Sequence, residues 1–260
     1  ESCGFQIVRC KLDHQGLDTE DLKRILSSYV VAAVYTTPHH QYPTTVSMSM
    51  ERRLMLLELS STHEFAVIED DYDHEFHYDN RPIPPLASLP HSENVIHIGS
   101  LSKVFAPGLR LGYLVADEQF INRAAQEVLL IDRQGNAVTE IALAELMASG
   151  EVKKHIRKTR RLYQARRDFS VQEFQRIFGD KIIFDVPVGG MALWVNLGDH
   201  LQNQNIKTLN HRDFSAGTHF SGGSKKTAHI RFGFGALTET EITSSINQLA
   251  MALGHGGYDG

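Results

Sequence analysis

The chain has 260 residues, of which 42% are hydrophobic and 22% charged, with a formal net charge of -5. That is enough chain for one large or two modest domains with a real core, and the acidic balance excludes a basic field spread over the whole molecule. No run of about 18 apolar residues occurs, which excludes a spanning helix, and the first residues carry no secretory signal pattern. Cys3 and Cys10 are too few for a disulfide framework and lack metal-ligand spacing, so a reducing, cytoplasmic setting is expected. The chain begins at Glu1 in ordered-looking sequence and reads as part of a longer protein.

In chain order, apolar runs of strand length alternate with helix-length amphipathic runs. They are Leu22 to Leu26, VVAAVY at 30–35, a helix near 49–62, FAVIE at 65–69, VIHIG at 95–99 and LGYLVA at 111–116. Continuous apolar strands predict a sheet covered on both faces, hence an α/β layered domain with a mainly parallel sheet over 1–136. From Asn136 the periodicity becomes helical through Phe178, with Gly150 as a break, giving an interdomain helical segment over 137–178. A smaller α+β domain over 179–260 follows. It comprises two short strands around Gly189-Gly190, a polar stretch at 198–228, the strand HIRFGF and a closing helix with Thr238 and Glu241 as a capping box. The final GHGGYDG reads as a loose tail.

Ligands of open α/β sheets gather outside the carboxyl ends of the strands. Three polar clusters follow three predicted strands here: TTPHHQYPTT after VVAAVY, DDYDHEFHY after FAVIE, and SLSK after VIHIG. Lys103 is a candidate imine-forming amine, since a partly desolvated ammonium loses its proton more readily. Ser100, Ser102 and Arg110 supply hydroxyls and a permanent cation for a phosphate, and Asp70 or Asp71 supplies a carboxylate for a pyridine nitrogen. Taken singly, each has a plainer reading: a solvated lysine, a turn or cap, a surface arginine.

Together, TPHHQYP, VIEDDYDHEFHYDNRPIPPL and HIGSLSKVFAPGLRLGYLV resemble the fold-type I pyridoxal-phosphate enzymes, and more narrowly the aminotransferase-like domain of MocR-type regulators of the GntR family. The resemblance implies pyridoxal 5'-phosphate as cofactor, with Lys103 as the lysine that carries it as an aldimine. It further implies Asp70 against the pyridine nitrogen, Tyr72 toward the ring hydroxyl oxygen, and Ser100, Ser102 and Arg110 on the phosphate. Arg231 in HIRFGF is implied as the partner of an effector or substrate carboxylate. A homodimer is implied too, with an amino acid or amine as effector, and with DNA contacted only through an N-terminal domain absent from this chain. Two departures stand out: Tyr42 precedes Pro43 where an asparagine is common, and Thr45 replaces a common glycine, leaving His40 and Gln41 as alternatives for the group facing the ring oxygen. The family's glycine-rich phosphate turn and ring-stacking aromatic fall before the region where this chain starts.

Two functions follow from these residues: an effector-sensing domain of a transcriptional regulator, or an aminotransferase in which Lys103 moves the substrate's α-proton. Metal-dependent hydrolysis, prompted by His39, His40, His74 and His77 near Asp70, Asp71 and Asp73, is the third class, and no metal is expected. Trp194 is expected as a core anchor, Tyr29 and Tyr35 as packing residues, and the basic run 153–167 as the solvated face of a helix.

Overall fold

A computed structural model describes residues 4–78, 83–198, 213–217, 220 and 227–254. Its elements are β1 (Leu12–Asp13), β2 (Gly16–Leu17), α1 (Thr19–Leu26), β3 (Ala33–Thr36), α2 (Met50–His63), β4 (Ala66–Asp71), β5 (Val95–Ser100), α3 (Leu101–Val104) and β6 (Gly112–Val115). They continue as α4 (Glu118–Asp132), α5 (Ala137–Ala148), α6 (Glu151–Phe178), β7 (Ala192–Asn196), β8 (Phe214–Ala216), β9 (His229–Gly233) and α7 (Glu239–Ala252). The chain forms two compact units. One is Glu1–Gln41, Val46–Glu75 and Arg81–Ile156; the other is Tyr42–Thr45, Phe76–Asn80 and Arg157–Gly260.

In the first unit a four-stranded sheet runs β3-β4-β5-β6. β4 is parallel to both β3 and β5, and β6 closes the edge antiparallel to β5, so the sheet is mainly parallel. Alternation decides which residues pack: Val34, Val67 and Val95 join Leu22, Leu56 and Phe65 in one core. Each such side chain contributes about 1.5–3 kcal/mol on burial. The residues facing the other way, Ile68, Ile96 and Ile98, remain partly accessible, and Tyr35 is exposed. Among the described residues, then, one face of β3, β4 and β5 is buried and the other, expected to be covered as well, is partly accessible. Apolar side chains on both faces made the strands look continuous in sequence, and sequence cannot say what covers each face.

The helices begin and end where their chemistry directs. Leu22 to Leu26 belongs to α1, whose start is set by the Asp18 side chain accepting from the backbone N–H of Glu20 and Asp21. Ser49 caps α2 in the same way. Gly150, at φ 81, separates α5 from α6, a left-handed turn that glycine adopts at little cost. Along α6 most of the basic run is solvated, as expected. Arg167 is the exception: it is buried, donates to Pro187 O at 2.8 Å and lies over the Tyr78 ring at 4.8 Å.

The second unit carries an antiparallel sheet in the order β7-β9-β8. Leu193, Val195, Ile230 and Phe232 point to a core completed by Phe174 of α6 and Ile246 of α7. Only one of the two strands expected around Gly189-Gly190 forms, β7; the segment before it has single bridges, Ile183 to Asn196 and His77 to Gly189. β8 arises inside the polar stretch 198–228, through Phe214 and Ala216; the rest of that stretch is mostly outside the described residues, as is the tail at 255–260. Thr238 and Glu241 make both halves of the capping box of α7.

Candidate functional site

Because β4 is parallel to both its neighbours, β3 and β5, the carboxyl ends of all three strands lie on one sheet edge. The polar clusters of Thr36 to Gln41, Asp70 to His74, and Ser100 to Lys103 follow those ends. Alternation along β4 then separates its two aspartates. Asp70 is half-buried and its Oδ2 accepts from the Tyr35 hydroxyl at 2.6 Å. Tyr35, expected as packing, is 59% exposed, and its hydroxyl reaches the carboxylate assigned to the pyridine nitrogen. Alternation holds the clue, since Tyr35 pairs with Ile68 and so shares a face with Asp70. Tyr29 is likewise exposed rather than packed.

Asp71 points to the covered face. Its carboxylate is closed to solvent, with His39 Nδ1 at 3.1 Å and His74 Nδ1 at 3.0 Å, close in distance but off the hydrogen-bond line. Burial pushes the Asp71 carboxyl up, but the two imidazoles outweigh it and hold the group well below the usual carboxylate range. For His74 burial lowers the value, and Asp71 outweighs that to raise it. The other ring nitrogen of His39 lies 2.6 Å from Ile83 O.

A second histidine pair stiffens the loop after β3. His40 Nδ1 lies 2.7 Å from Asp73 Oδ1 with both side chains buried, and His40 O accepts from the Tyr72 hydroxyl at 3.1 Å. Tyr72 therefore reaches the loop through its hydroxyl. Gln41 is also buried, its side-chain oxygen 3.3 Å from Thr36 Oγ1. Beneath the loop sits Arg53, fully buried on α2, donating to Met48 O, Pro38 O and Pro84 O at 3.0, 2.7 and 3.1 Å. Burial pulls its value down to about 10, so it is still a cation at neutral pH.

His39, Glu69 and Asp71 have ligand atoms within 4.8 Å of one another. Glu69, however, is already committed: it accepts from the backbone N–H of Leu86 at 2.7 Å and of Ala87 at 3.2 Å, and faces His97 Nδ1 at 2.8 Å. A cation there would have to displace those bonds, beside the charge of Arg53. His77, the remaining histidine behind the metal class, pairs by its backbone with Gly189 in the second unit.

β5 leads into the short helix α3, then a 3-10 turn at Pro107–Leu109, then β6. The backbone N–H of Leu101 donates to Leu111 O at 3.0 Å and closes the turn. Ser102 is buried, Ser100 half-buried, and Lys103 and Arg110 are exposed. Lys103, a candidate for partial desolvation on sequence, is exposed as the last residue but one of α3. Arg110 has φ 51, a left-handed conformation that lets the chain reverse into β6. Among the described residues neither cation has a carboxylate in ion-pair range. Two cations and two hydroxyls thus fall within residues 100–110, residue types that a phosphate-bearing aldehyde such as pyridoxal phosphate would need.

Arg231 lies on β9 in the second unit, on the face away from the core. Its guanidinium sits 5.1 Å from the Tyr42 ring centroid, and its Nε is buried without a hydrogen-bond partner. Trp194 is the cross-strand neighbour of Arg231 and is only partly buried, so the core-anchor expectation is corrected: alternation sends Leu193 and Val195 inward and Trp194 outward.

Comparison with known proteins bears on this arrangement. The profile of the aminotransferase class I and II family matches residues 1–249. Aromatic-amino-acid aminotransferase 1 of Thermococcus litoralis is 28% identical over 256 residues, 94% of this chain and 61% of that protein. The probable rhizopine catabolism regulatory protein MocR of Rhizobium meliloti is 28% identical over 257 residues, 96% of this chain and 51% of that protein. The kynurenine aminotransferase of Pyrococcus horikoshii, solved in complex with PMP, superposes with a TM-score of 0.86 at 29% identity, over 96% of this chain and 64% of that one. The chain thus spans between about half and two thirds of these relatives. A mainly parallel sheet with three polar strand ends on one edge, a lysine turn after β5, and a profile match over nearly the whole length lead to one assignment: the chain belongs to the aminotransferase class I and II family.

Proposed function

We propose that the chain is the pyridoxal-phosphate-binding, effector-sensing domain of a MocR-type transcriptional regulator, with the cofactor held on Lys103. The observation that carries this reading is the segment after β5, where Lys103 and Arg110 lie close in sequence to Ser100 and Ser102 and, among the described residues, have no carboxylate in ion-pair range. The similarity to MocR along 96% of the chain supports the regulator.

Bound pyridoxal phosphate supplies an aldehyde to which an amine can add and a ring that withdraws electrons. The chain's own residues do the rest. Asp70 holds a proton at the pyridine nitrogen, and the Tyr35 hydroxyl fixes the carboxylate that does so. Tyr72, whose hydroxyl donates to His40 O, would turn that hydrogen toward the ring hydroxyl oxygen. Ser100, Ser102 and Arg110 hold the phosphate, the arginine as a planar fork. Arg231 takes the carboxylate of an amino-acid effector. An amine or amino acid competing with Lys103 shifts the population of a homodimer, and DNA is contacted by a separate helix-turn-helix domain in the cytoplasm. No helix among the described residues is long and apolar enough to cross a membrane.

A catalytic aminotransferase is the second reading, favoured by the similarity to the Thermococcus and Pyrococcus enzymes. In it Lys103 would accept and return the proton of the substrate's α-carbon. One absorbance experiment separates the two. The full chain is mixed with pyridoxal phosphate, then with an amino acid, alongside Lys103→Ala. A visible band present in the wild type and lost in the variant is expected. A band shift without keto acid supports the sensor, sustained keto acid supports the enzyme, and no band in either protein overturns both.

A further inference from the structure

Arg231 does not stand alone on its face of the second unit. Its guanidinium carbon lies 5.1 Å from the Tyr42 ring centroid, an arrangement that holds the planar group through its face and leaves its N–H edge for a ligand. Tyr42 meets Phe220 edge-on at 5.2 Å and 87°, and Phe220 meets Trp194 at 6.1 Å and 64°. Trp194 stacks on His229 at 5.1 Å and 14°. Trp194 and Arg231 are cross-strand partners, so these rings share the arginine's face. Burial lowers the His229 value, which favours the neutral ring and a flat, uncharged surface.

Two features say what such a face takes. The Nε of Arg231 is buried and unpartnered, and an arriving carboxylate can accept the hydrogen bond that this buried donor lacks. The aromatic row beside it offers stacking area to a planar apolar group but no countercharge, and among the described residues no carboxylate lies in ion-pair range of Arg231. We propose that Tyr42 positions Arg231 for its carboxylate ligand, and that Tyr42, Phe220 and Trp194 select ligands whose carboxylate is attached to a flat aromatic body. This deepens the sensing role proposed above by naming the ligand class, and it rests on that role for the duty of Arg231. Where the family commonly has an asparagine amide, the chain uses a ring.

Trp194 is the chain's one tryptophan, so its fluorescence reports the face without any cofactor. The full chain is titrated with 3-phenylpropionate and with propionate, in the presence and absence of pyridoxal phosphate. The expected result is a saturable change with 3-phenylpropionate at a dissociation constant at least about tenfold below that for propionate, the gain that a buried, stacked ring brings. Arg231→Met abolishes binding of both acids. Tyr42→Ala weakens 3-phenylpropionate about tenfold while Tyr42→Phe stays within about twofold, since the ring face does the holding. Variant thermal unfolding is followed in parallel, and Tyr42→Leu, if Tyr42→Ala fails to fold, reads the same loss. Equal affinity for the two acids overturns the ligand class, an unchanged constant in Tyr42→Ala or Tyr42→Leu overturns the positioning role, and no saturable change at all overturns both. Loss of the Lys103 absorbance band with these titrations intact defeats the cofactor reading alone.

Discussion

Nδ1 of His74 lies 3.0 Å from Oδ2 of Asp71, a carboxylate wholly closed off from solvent on the covered face of the sheet. The contact sets a pH window. The His74 value is raised by its partner, so its contribution is complete below the ordinary imidazole value of about 6.5 and is lost as pH rises through the folded value. The Asp71 value is lowered, so its contribution is present above about 3.9 and is lost as pH falls through the folded value. Chemical denaturation across pH should show stability declining above about pH 6.5, and His74→Gln should flatten that decline. Asp71→Asn should cost about 3–5 kcal/mol near neutrality, as the loss of one partner of a buried charged group does.

Arg53 joins two loops from inside the core by donating to Met48 O, Pro38 O and Pro84 O. Replacing it with methionine removes three charge-assisted bonds and leaves buried carbonyls unmet. Arg53→Met should destabilise the chain by about 3–5 kcal/mol in urea. Arg53→Lys should recover only part, because an ammonium cannot span three carbonyls with a planar fork.

Thr45 has φ 63, a left-handed conformation in a β-branched residue. Thr45→Gly should raise the unfolding free energy by about 1 kcal/mol, partly offset by glycine's freedom in the unfolded chain. A lower melting temperature in this variant would show that the Thr45 side chain contributes more than its backbone strain costs.

Tyr35→Phe removes the hydroxyl that donates to Asp70 and leaves an exposed ring in place. Stability should change by less than about 0.5 kcal/mol, as at other exposed sites. Pyridoxal phosphate should nonetheless be retained more weakly, measured by the cofactor remaining after dialysis. Unchanged retention would free Asp70 from dependence on Tyr35.

The strands β3, β4, β5, β6 and β9, α2, the break at Gly150 and the cap at Thr238 were legible because each rests on local chemistry: apolar runs, a left-handed glycine, a hydroxyl three residues before a glutamate. The polar strand ends were legible for a similar reason, since parallel neighbours must share an edge. What escaped depends on partners distant in sequence. Arg53 reads as one of two consecutive arginines on an amphipathic helix, and its burial is set by Pro84, 31 residues on. Tyr35 meets Asp70 across 35 residues, and only the register of β3 on β4 reveals the pair. Trp194 looks like a core residue in an apolar run; that it faces outward follows from its neighbours in β7, a choice of register that two-sided apolar strands leave open. The antiparallel direction of β6 was equally hidden, because chain direction is not written in hydropathy.

β4 sets Asp70 toward the accessible face and Asp71 toward the interior, one residue apart. Deleting a single residue upstream in that strand, while its pairing holds, would carry every following side chain to the opposite face, sending Asp70 inward against the imidazoles and Asp71 outward toward Tyr35. The length of β4 is accordingly under tighter constraint than its composition. In a mutational scan Val67 or Ile68 should accept other branched apolar residues, while one-residue insertions and deletions between Ala66 and Glu69 should abolish cofactor retention and stability together.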